Sequence, residues 1–353
     1  MKKLLGLLAI LLAAVALFLV FTPSPIDPLA WTAPPAPAMT GVLEPNDSLM
    51  KAELLARGQL QGPEDTAVDA QGRVYAGLHD GRIVRLEADG GIETFAETHG
   101  RPLGLDFDAK GDLIVADAYK GLLAIDPKGS IKVLSSEAAG VPFAFTDDLE
   151  IARDGRIYFS DASQRFEQPD YLLDLLEARP HGRLLRYDPA TGETEVLLDK
   201  LYFANGVALS AEQDFVLVNE TYRYRITRYW LTGEKAGSHE VFIDNLPGLP
   251  DNLQGDGAGT FWVALPSPRK ADIDFLHRHP WLKTQLAKLP RALWPKPEAY
   301  GLVIALNEQG QIVRSLHDTS GTHLRMVTSA KPVGDDLYLG SLNNDRIGKL
   351  RIR

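Results

Sequence analysis

Gly62-Pro63-Glu64-Asp65, followed by Gly72-Arg73-Val74-Tyr75, is the stretch that decides the fold, because its frame returns along the chain. Glu64 stands eight residues before a glycine that opens a strand-like run. The same offset separates four further pairs: Leu103 and Gly111, Asp147 and Gly155, Asn205 and Gln213, and Asp251 and Gly259. Five repeats therefore put Glu, Leu, Asp, Asn and Asp at one equivalent position.

Each repeat continues as two short apolar runs bounded by turn-forming residues, and a sixth pair of runs follows near the C-terminus. The runs predicted as strands begin at Val74 and Arg82, Leu113 and Gly121, Ile157 and Gly182, Phe215 and Arg225, Phe261 and Gly301, and Leu337 and Arg346. Strand pairs that recur every ~40–50 residues are typical of a β-propeller. We therefore predict an all-β, six-bladed β-propeller. A two-domain all-β sandwich is the competing fold, but it does not predict a constant offset.

The repeated position predicts a metal site. The first strand of each propeller blade lines the central axis, so equivalent residues that enter those strands face one another. Four of them carry side-chain oxygens, and these are the predicted metal ligands: Glu64, Asp147, Asn205 and Asp251. Three carboxylates and an amide oxygen suit Ca²⁺ better than Mg²⁺, which demands a tighter octahedral geometry. The alternative is that they are turn-forming Asp and Asn residues and a solvated Glu.

Composition excludes several other functions. The net charge of −10 argues against nucleic acid as a partner. The chain has no cysteine, which excludes disulfides, thiolate metal sites and a cysteine nucleophile. It has no G-x-S-x-G elbow, P-loop or dinucleotide fingerprint, and its histidines lack metal-ligand spacing.

The N-terminus predicts export. Met1-Lys2-Lys3 precedes an apolar run from Leu4 to Phe21, whose 18 residues lie near the lower limit for crossing a hydrocarbon core of ~30 Å. Residues 1–21 are therefore a signal anchor or a cleaved signal peptide, and the absence of a good A-x-A site favours the anchor. Residues 22–49 are a Pro-rich linker and residues 50–353 the propeller. We expect a membrane-anchored protein with its propeller on the non-cytoplasmic side, periplasmic or lumenal.

An insertion at residues 266–300 separates the two predicted strands of the fifth repeat. Its segment 271–296 interleaves apolar residues such as Phe275 and Trp281 with basic residues such as Arg278 and Lys288. This pattern predicts a cap over the channel mouth or a membrane-facing surface. A helical segment packed on the side of the propeller is the alternative.

Several separate motifs resemble the strictosidine synthase-like family, which includes proteins of the adipocyte plasma membrane-associated type. They are Pro102-Leu103-Gly104-Leu105, Val141-Pro142-Phe143-Ala144-Phe145-Thr146-Asp147, Ala204-Asn205-Gly206-Val207-Ala208, Arg228-Tyr229-Trp230-Leu231 and Leu249-Pro250-Asp251-Asn252. The resemblance runs from about residue 60 to the C-terminus. It implies a six-bladed propeller related to the SMP-30/gluconolactonases and paraoxonases, and a catalytic Ca²⁺ held by Glu64, Asn205 and Asp251.

The chain departs from that family at three places. Asp147 stands where the family commonly has Asn, which adds a negative charge. The stretch Met326-Val327-Thr328-Ser329-Ala330-Lys331 lacks the glutamate with which the plant synthases catalyse their condensation. Leu103 and Ala118 occupy the places of the histidine pair of paraoxonase-type enzymes.

We therefore expect a calcium-dependent hydrolase of lactones or esters that acts on a small lipophilic substrate. Asp251 and Asp147 are the candidate catalytic residues, as a base toward water or as a nucleophile. One alternative is a non-catalytic propeller that calcium stabilises for binding. The other is a strictosidine synthase-like condensing enzyme, which the missing glutamate disfavours.

Overall fold

The computed structural model describes residues 2–87 and 90–352. Across those residues, the strands form six four-stranded antiparallel sheets and one two-stranded ribbon. The six sheets are the blades of a propeller, so the predicted all-β, six-bladed fold is confirmed.

The elements follow the chain blade by blade. Helix α1 (Lys2–Phe21) and strand β1 (Glu53–Leu55) precede the first blade, which consists of β2 (Thr66–Val68), β3 (Val74–Gly77), β4 (Arg82–Leu86) and β5 (Ile92–Glu97). The second blade consists of β6 (Pro102–Phe107), β7 (Leu113–Asp117), β8 (Gly121–Ile125) and β9 (Ile131–Ser135), and the ribbon of β10 (Glu137–Ala138) and β11 (Val141–Pro142) follows it.

Two of the next three blades carry helical insertions. The third blade consists of β12 (Thr146–Ile151), β13 (Ile157–Asp161), then α2 (Tyr171–Glu177), β14 (Gly182–Asp188) and β15 (Glu193–Leu201). The fourth consists of β16 (Ala204–Leu209), β17 (Phe215–Glu220), β18 (Arg225–Trp230) and β19 (His239–Ile243). The fifth consists of β20 (Leu253–Gly255), β21 (Thr260–Ala264), then α3 (Ala271–His277), α4 (Pro280–Ala287), β22 (Gly301–Asn307) and β23 (Ile312–Asp318).

The sixth blade joins the two ends of the propeller. It consists of β24 (Val327–Val333), β25 (Asp336–Ser341), β26 (Ile347–Arg351) and, as its outermost strand, β1. β1 pairs antiparallel with β26, with Glu53 opposite Lys349 and Leu55 opposite Ile347. The N-terminal strand therefore closes the ring.

The middle strands of the blades form the core. Each blade packs its second and third strands against its neighbours, so β7 and β17 are buried along their whole length. Strands buried on both faces read as nearly continuous apolar runs, as residues 113–116 of β7 and 215–218 of β17 do. The outermost strands face solvent, and in β9 the residues Ile131, Lys132 and Val133 are exposed. This difference explains why the sequence pattern marks the middle strands.

The Pro-rich segment from Thr22 to Leu49 lies along the propeller. Leu29 N donates to Glu177 O at 2.9 Å, and Trp31 N donates to His277 O at 2.8 Å, which ties the segment to α2 and α3. Leu43 is buried against the fourth and fifth blades, and Leu49 is buried against the fifth and sixth blades. We call residues 22–35 the strap, because they bind the three insertion helices to one another.

The apolar run at the N-terminus is helical. α1 exposes large apolar side chains, including Leu4, Val20 and Phe21. Among the helices of residues 2–87 and 90–352, none is long and apolar enough over its described residues to cross a membrane.

Candidate functional site

The innermost strands bring the predicted ligands together at one mouth of the channel. Asp147 and Asn205 are the second residues of β12 and β16, whereas Glu64 and Asp251 lie two residues before β2 and β20. β-Bulges at Thr146–Leu149 and Ala204–Val207 interrupt the strand pairing at two of these positions. A bulge re-aims the side chains beside it. Glu64, Asp147, Asn205 and Asp251, here called the ring residues, all line one cavity.

Leu103 and Ala118 form part of an apolar wall beside the ring residues. They belong to a buried cluster with Phe145, Phe203 and Tyr222. Phe145 and Phe203 meet edge to face, with ring centroids 5.2 Å apart. Leu103 and Ala118 therefore contribute hydrocarbon to this wall and carry no group that can transfer a proton.

The cavity has a volume of about 180 Å³ and is lined by three kinds of element. The ring residues form its polar end. Tyr171, Leu172 and Leu175 from α2 form part of its apolar wall, and Ile273 from α3 together with Pro295 and Pro297 contributes from the insertion. Residues 266–300 therefore contribute to the entrance of the cavity that holds the ring residues.

A second acidic residue follows two of the ring residues and links neighbouring blades. Asp65 Oδ2 accepts a hydrogen bond from Leu105 N at 3.0 Å, and Asp148 Oδ2 accepts one from Val207 N at 3.0 Å. Each carboxylate thus holds the first strand of the next blade. In each of the doublets Glu64-Asp65 and Asp147-Asp148, the first side chain lines the cavity and the second connects two neighbouring blades.

Glu64 and Asp147 are buried, Asp251 is half-buried, and the three ring carboxylates perturb one another. Burial raises the pKa of Glu64 well above its usual value, and Asp251 and Asp147 raise it further. Burial, then Asp251, raises the pKa of Asp147 in the same way. Burial raises the pKa of Asp251 to about 7, with the amide of Asn205 acting against it. Carboxylates crowded in this way gain from a cation.

The donor chemistry fits a calcium ion. Glu64 Oε2 and Asn205 Oδ1 are buried, and neither accepts a hydrogen bond from any described residue. A buried oxygen without a partner is costly, and an ion would satisfy it. In this conformation, however, no group of three or more His, Asp or Glu side chains within residues 2–87 and 90–352 is arranged to hold a metal ion. The ring residues therefore share a cavity and suitable chemistry, while calcium binding itself stays a prediction.

Further along the channel, the inner strands carry a second polar layer. Lys331 Nζ lies 3.1 Å from Asp106 Oδ1. Burial alone would lower the pKa of Lys331, but the carboxylates of Asp106, Glu150 and Asp65 raise it instead. The ammonium group of Lys331 therefore gives the channel a positive charge near the carboxylate of Asp65.

Two residues near the channel mouth were not predicted from the sequence. Thr328, the second residue of β24, occupies the sixth ring position and lines the cavity. The eight-residue offset misses it by one position, because Asp335, two residues before the sixth apolar run at Leu337, is seven residues after Thr328. Arg101 is buried two positions before Leu103, and its guanidinium donates to Gly62 O on the loop that precedes Glu64. The sequence carries no signal for its placement, because a lone arginine before a strand is usually exposed.

The fold and the mouth together define a class: six-bladed β-propellers with side-chain oxygens around one end of the channel. A solved gluconolactonase from Xanthomonas campestris matches with a TM-score of 0.63 and 18% identity, over 94% of this chain and 96% of that one. A solved structure titled calcium-binding protein, regucalcin, from Agrobacterium tumefaciens matches with a TM-score of 0.58 and 15% identity, over 84% and 90%. At such identities the likeness concerns the fold.

The sequence comparisons are more specific. The strictosidine synthase family model matches residues 147–234, and the family model for the strictosidine synthase-like N-terminal region matches residues 41–86. The adipocyte plasma membrane-associated protein of Rattus norvegicus is 41% identical over 94% of this chain and 94% of its own length. Strictosidine synthase-like protein 10 of Arabidopsis thaliana is 38% identical over 80% and 83%. The chain belongs to the strictosidine synthase-like family of adipocyte plasma membrane-associated proteins, as the sequence motifs predicted.

Proposed function

We propose that this protein is a calcium-dependent hydrolase of lactones or esters with small lipophilic substrates. One observation carries the proposal: three carboxylates, two of them buried, and an unpartnered amide oxygen stand at the end of a cavity whose other walls are largely apolar. The fold relatives titled gluconolactonase and calcium-binding protein add support. When bound, calcium would polarise the substrate carbonyl.

The residues of this chain would divide the remaining work. Glu64, Asp147, Asn205 and Asp251 would hold the ion. Phe145, Phe203 and Leu175 would bind the apolar part of the substrate and keep bulk water out. Asp251 is the leading candidate to take a proton from water, because its carboxylate stands at the polar end of the cavity, where the ion and the substrate carbonyl would meet. Asp147 is the second candidate, as base or nucleophile.

The test is a panel of lactones and aryl esters turned over by the purified full-length chain, with and without a calcium chelator. We expect excess chelator to abolish turnover and added calcium to restore it. Glu64→Gln should lower kcat/KM by ~100-fold or more, since one donor to a metal that stabilises developing charge is lost. The exposed Glu97→Gln is the matched control.

Two other outcomes separate the alternatives. Full activity in excess chelator would contradict the proposal. If calcium raises the melting temperature but no substrate of the panel reacts, the protein is a calcium-stabilised binding propeller instead.

We further propose that the protein is exported and associates with a membrane through α1 and the insertion, with the propeller on the non-cytoplasmic side. Segment 269–296 carries seven basic against two acidic residues in a chain of net charge −10. It exposes Phe275 and Trp281, and Lys288 Nζ contacts Leu19 O of α1 at 2.6 Å. Basic and aromatic side chains together suit an anionic lipid surface. Flotation of the full chain with vesicles tests this association.

A further inference from the structure

Trp31 of the strap packs on the outer side of the wall that encloses the cavity. Its ring centroid lies 5.6 Å from that of Tyr224 and 5.3 Å from that of His277, the last residue of α3. Tyr224 lines the cavity, whereas Trp31 is not among the described residues that do. Trp31 therefore supports a cavity residue from outside.

The strap also holds the C-terminal end of α3. Trp31 N donates to His277 O at 2.8 Å. A carbonyl in the last turn of a helix has no partner within the helix, so the strap supplies one. α3 has only seven residues, and helices shorter than ~12 residues are rarely stable by themselves. The position of Ile273, which α3 contributes to the cavity, therefore depends on contacts from outside the helix.

A set of polar contacts around Asp274 joins the strap to the same turn of α3. Tyr224 Oη donates to Asp274 Oδ1 at 3.1 Å. Arg269 Nη2 donates to Asp274 Oδ2 at 2.8 Å and to Pro34 O of the strap at 2.6 Å. Hydrogen bonds between charged groups are among the stronger ones in proteins. Because Asp274 directly follows Ile273, these bonds hold the turn that reaches the cavity.

Arg223 extends the contacts of Trp31 to α2, the other helix that lines the cavity. Its buried guanidinium lies over the Trp31 ring, with Cζ 4.4 Å from the centroid, an arrangement that the π-electrons of the ring favour. Arg223 Nη2 donates to Ala178 O, directly after α2, at 3.0 Å. Leu172 and Leu175 of this helix line the cavity. Trp31 thus contacts the supports of both helices.

We propose that Trp31 is a specificity-determining residue, which fixes the position of α3 so that the cavity binds esters with a long acyl chain. The substrate class follows from the walls, since α2 and α3 offer hydrocarbon and the ring residues form the polar end. Trp31 acts through Tyr224 and Ile273, so it is a positioning residue. The inference rests on the proposed function, because it assumes that esters are hydrolysed at the ring residues.

A purely stabilising role for Trp31 makes a different prediction. If Trp31 only stabilised the fold, its loss would lower the melting temperature and affect all substrates alike. If it positions α3, its loss weakens the binding of substrates that reach α3 and spares those that do not. The ratio of kcat/KM between a long-chain and a short-chain ester therefore separates the two roles.

The experiment compares an aryl octanoate with an aryl acetate on the full-length chain. Trp31→Ala should raise KM for the octanoate about tenfold and leave kcat nearly unchanged, because contact with roughly two methylene groups is lost in ground state and transition state alike. The acetate does not reach α3, so its kcat/KM should stay within about threefold of the wild-type value.

Two further variants control this comparison. Trp31→Phe keeps an aromatic face for Arg223 and should stay within about threefold of the wild type for both esters. Leu49→Ala removes a fully buried side chain from the same N-terminal segment, at a place where it packs on the fifth and sixth blades. It should lower the melting temperature and leave the ratio of the two esters unchanged.

Ile273→Ala tests whether Trp31 acts through α3. Alone it should lower the octanoate-to-acetate ratio about tenfold, through the same lost contact. Adding Trp31→Ala should lower the ratio by no more than about a further threefold, because a displaced α3 no longer holds residue 273 against the acyl chain. Effects that multiply in the double variant would overturn the inference.

Two measurements do not depend on turnover. Amide hydrogen exchange in α3 should become about tenfold faster in Trp31→Ala and stay unchanged in Leu49→Ala. The affinity for octanol, measured by calorimetry, should fall about tenfold in Trp31→Ala and in Ile273→Ala. If Trp31→Ala does not fold, Trp31→Leu replaces it, because leucine keeps apolar bulk but offers no aromatic face to Arg223.

The outcomes distinguish this inference from the proposed function. Equal losses for the two esters, unchanged exchange in α3 or unchanged octanol affinity in Trp31→Ala would overturn the inference and leave the hydrolase standing. A wild type that hydrolyses no lactone or ester would overturn the proposed function. Faster exchange in α3 and weaker octanol binding in Trp31→Ala would then still support the role of Trp31 in shaping the cavity.

Discussion

Single glycines let the blades approach closely at the channel mouth. Gly206 follows the ring residue Asn205, and a Cβ atom there would lie 2.3 Å from Leu253 N and 2.5 Å from Asp251 O of the next blade. Gly104 follows Leu103, and its Cβ would lie 2.8 Å from Asp148 Cα. Backbone atoms cannot give way as a flexible side chain can. The spacing between ring residues therefore depends on these glycines.

Gly206→Ala should destabilise the fold by about 2 kcal/mol or more, because the added methyl group forces the fourth and fifth blades apart. Urea unfolding measures the change. Gly255→Ala is the matched control, since its Cβ would meet Leu209 O at 3.2 Å and needs only a small adjustment. Equal effects of the two substitutions would contradict the close-approach explanation.

At the residue scale, the repeat offset was enough to select the ring residues, because a propeller converts equal sequence positions into one circle. It could not reveal Arg101. The burial of that side chain depends on how the loops of two blades meet, and nothing local to Arg101 records that contact. The neighbouring carboxylates Asp65 and Asp148 were missed for the same reason, since their partners lie in other blades.

Among the elements, the middle strands of the blades were predictable and helix α2 was not. Most residues of the second and third strands are buried, so these strands read as apolar runs between turns. α2 lies between β13 and β14 and buries Asp174 and Glu177, two residues that periodicity assigns to solvent. Its position depends on contacts with α4 and the strap, which lie far away in sequence.

Asp174 of α2 should make stability depend on pH. Its side chain is buried, Ser163 Oγ donates to Oδ2 at 2.6 Å, and Oδ1 has no partner among the described residues. Burial raises the pKa of Asp174 from 3.8 to about 7. The folded protein therefore binds this proton more tightly than the unfolded chain does. The resulting stabilisation is complete below pH about 4 and disappears as the pH rises through 7.

We expect Asp174→Asn to gain ~2–4 kcal/mol of unfolding free energy relative to the wild type between pH 5 and pH 8, because asparagine cannot ionise. Urea unfolding in the presence of calcium at both values measures the gain. The exposed Asp80→Asn should shift stability by less than ~1 kcal/mol at either pH. A constant difference between Asp174→Asn and the wild type would show that this carboxyl does not titrate in the folded protein.

On the scale of the whole molecule, the strap places the apolar N-terminal helix next to the insertion, on the side of the cavity entrance. We expect the full chain to float with vesicles that contain anionic lipid. A chain that begins at residue 22 should bind more weakly and lose binding in high salt, since ~1 kcal/mol per basic residue near the surface is electrostatic.

Substitutions in that shortened chain locate the surface. Trp281→Ser together with Leu293→Ser should abolish its remaining vesicle binding, because both side chains are exposed on the insertion. Val313→Ser, an equally apolar exposed position on β23, should leave binding unchanged. A full chain that stays with the soluble fraction would contradict membrane association altogether.

The blade count was predictable at this scale, whereas the closure of the ring was not. β1 has only three residues, and its pairing with β26 spans nearly the whole propeller. A segment this short has no period that distinguishes a strand from a loop. Its pairing partner, β26, lies nearly 300 residues later in the sequence.

That closure also orders events during synthesis. β1 leaves the ribosome roughly 300 residues before the strand that completes it, which at ~5–20 residues per second is a wait of ~15–60 s. Until then the nascent chain exposes an unpaired sheet edge on its last blade, the kind of edge that pairs with other chains. A translation product that stops before Ile347 lacks β26 and never closes its ring. Quality control of this protein therefore depends on translation of β26 (Ile347–Arg351).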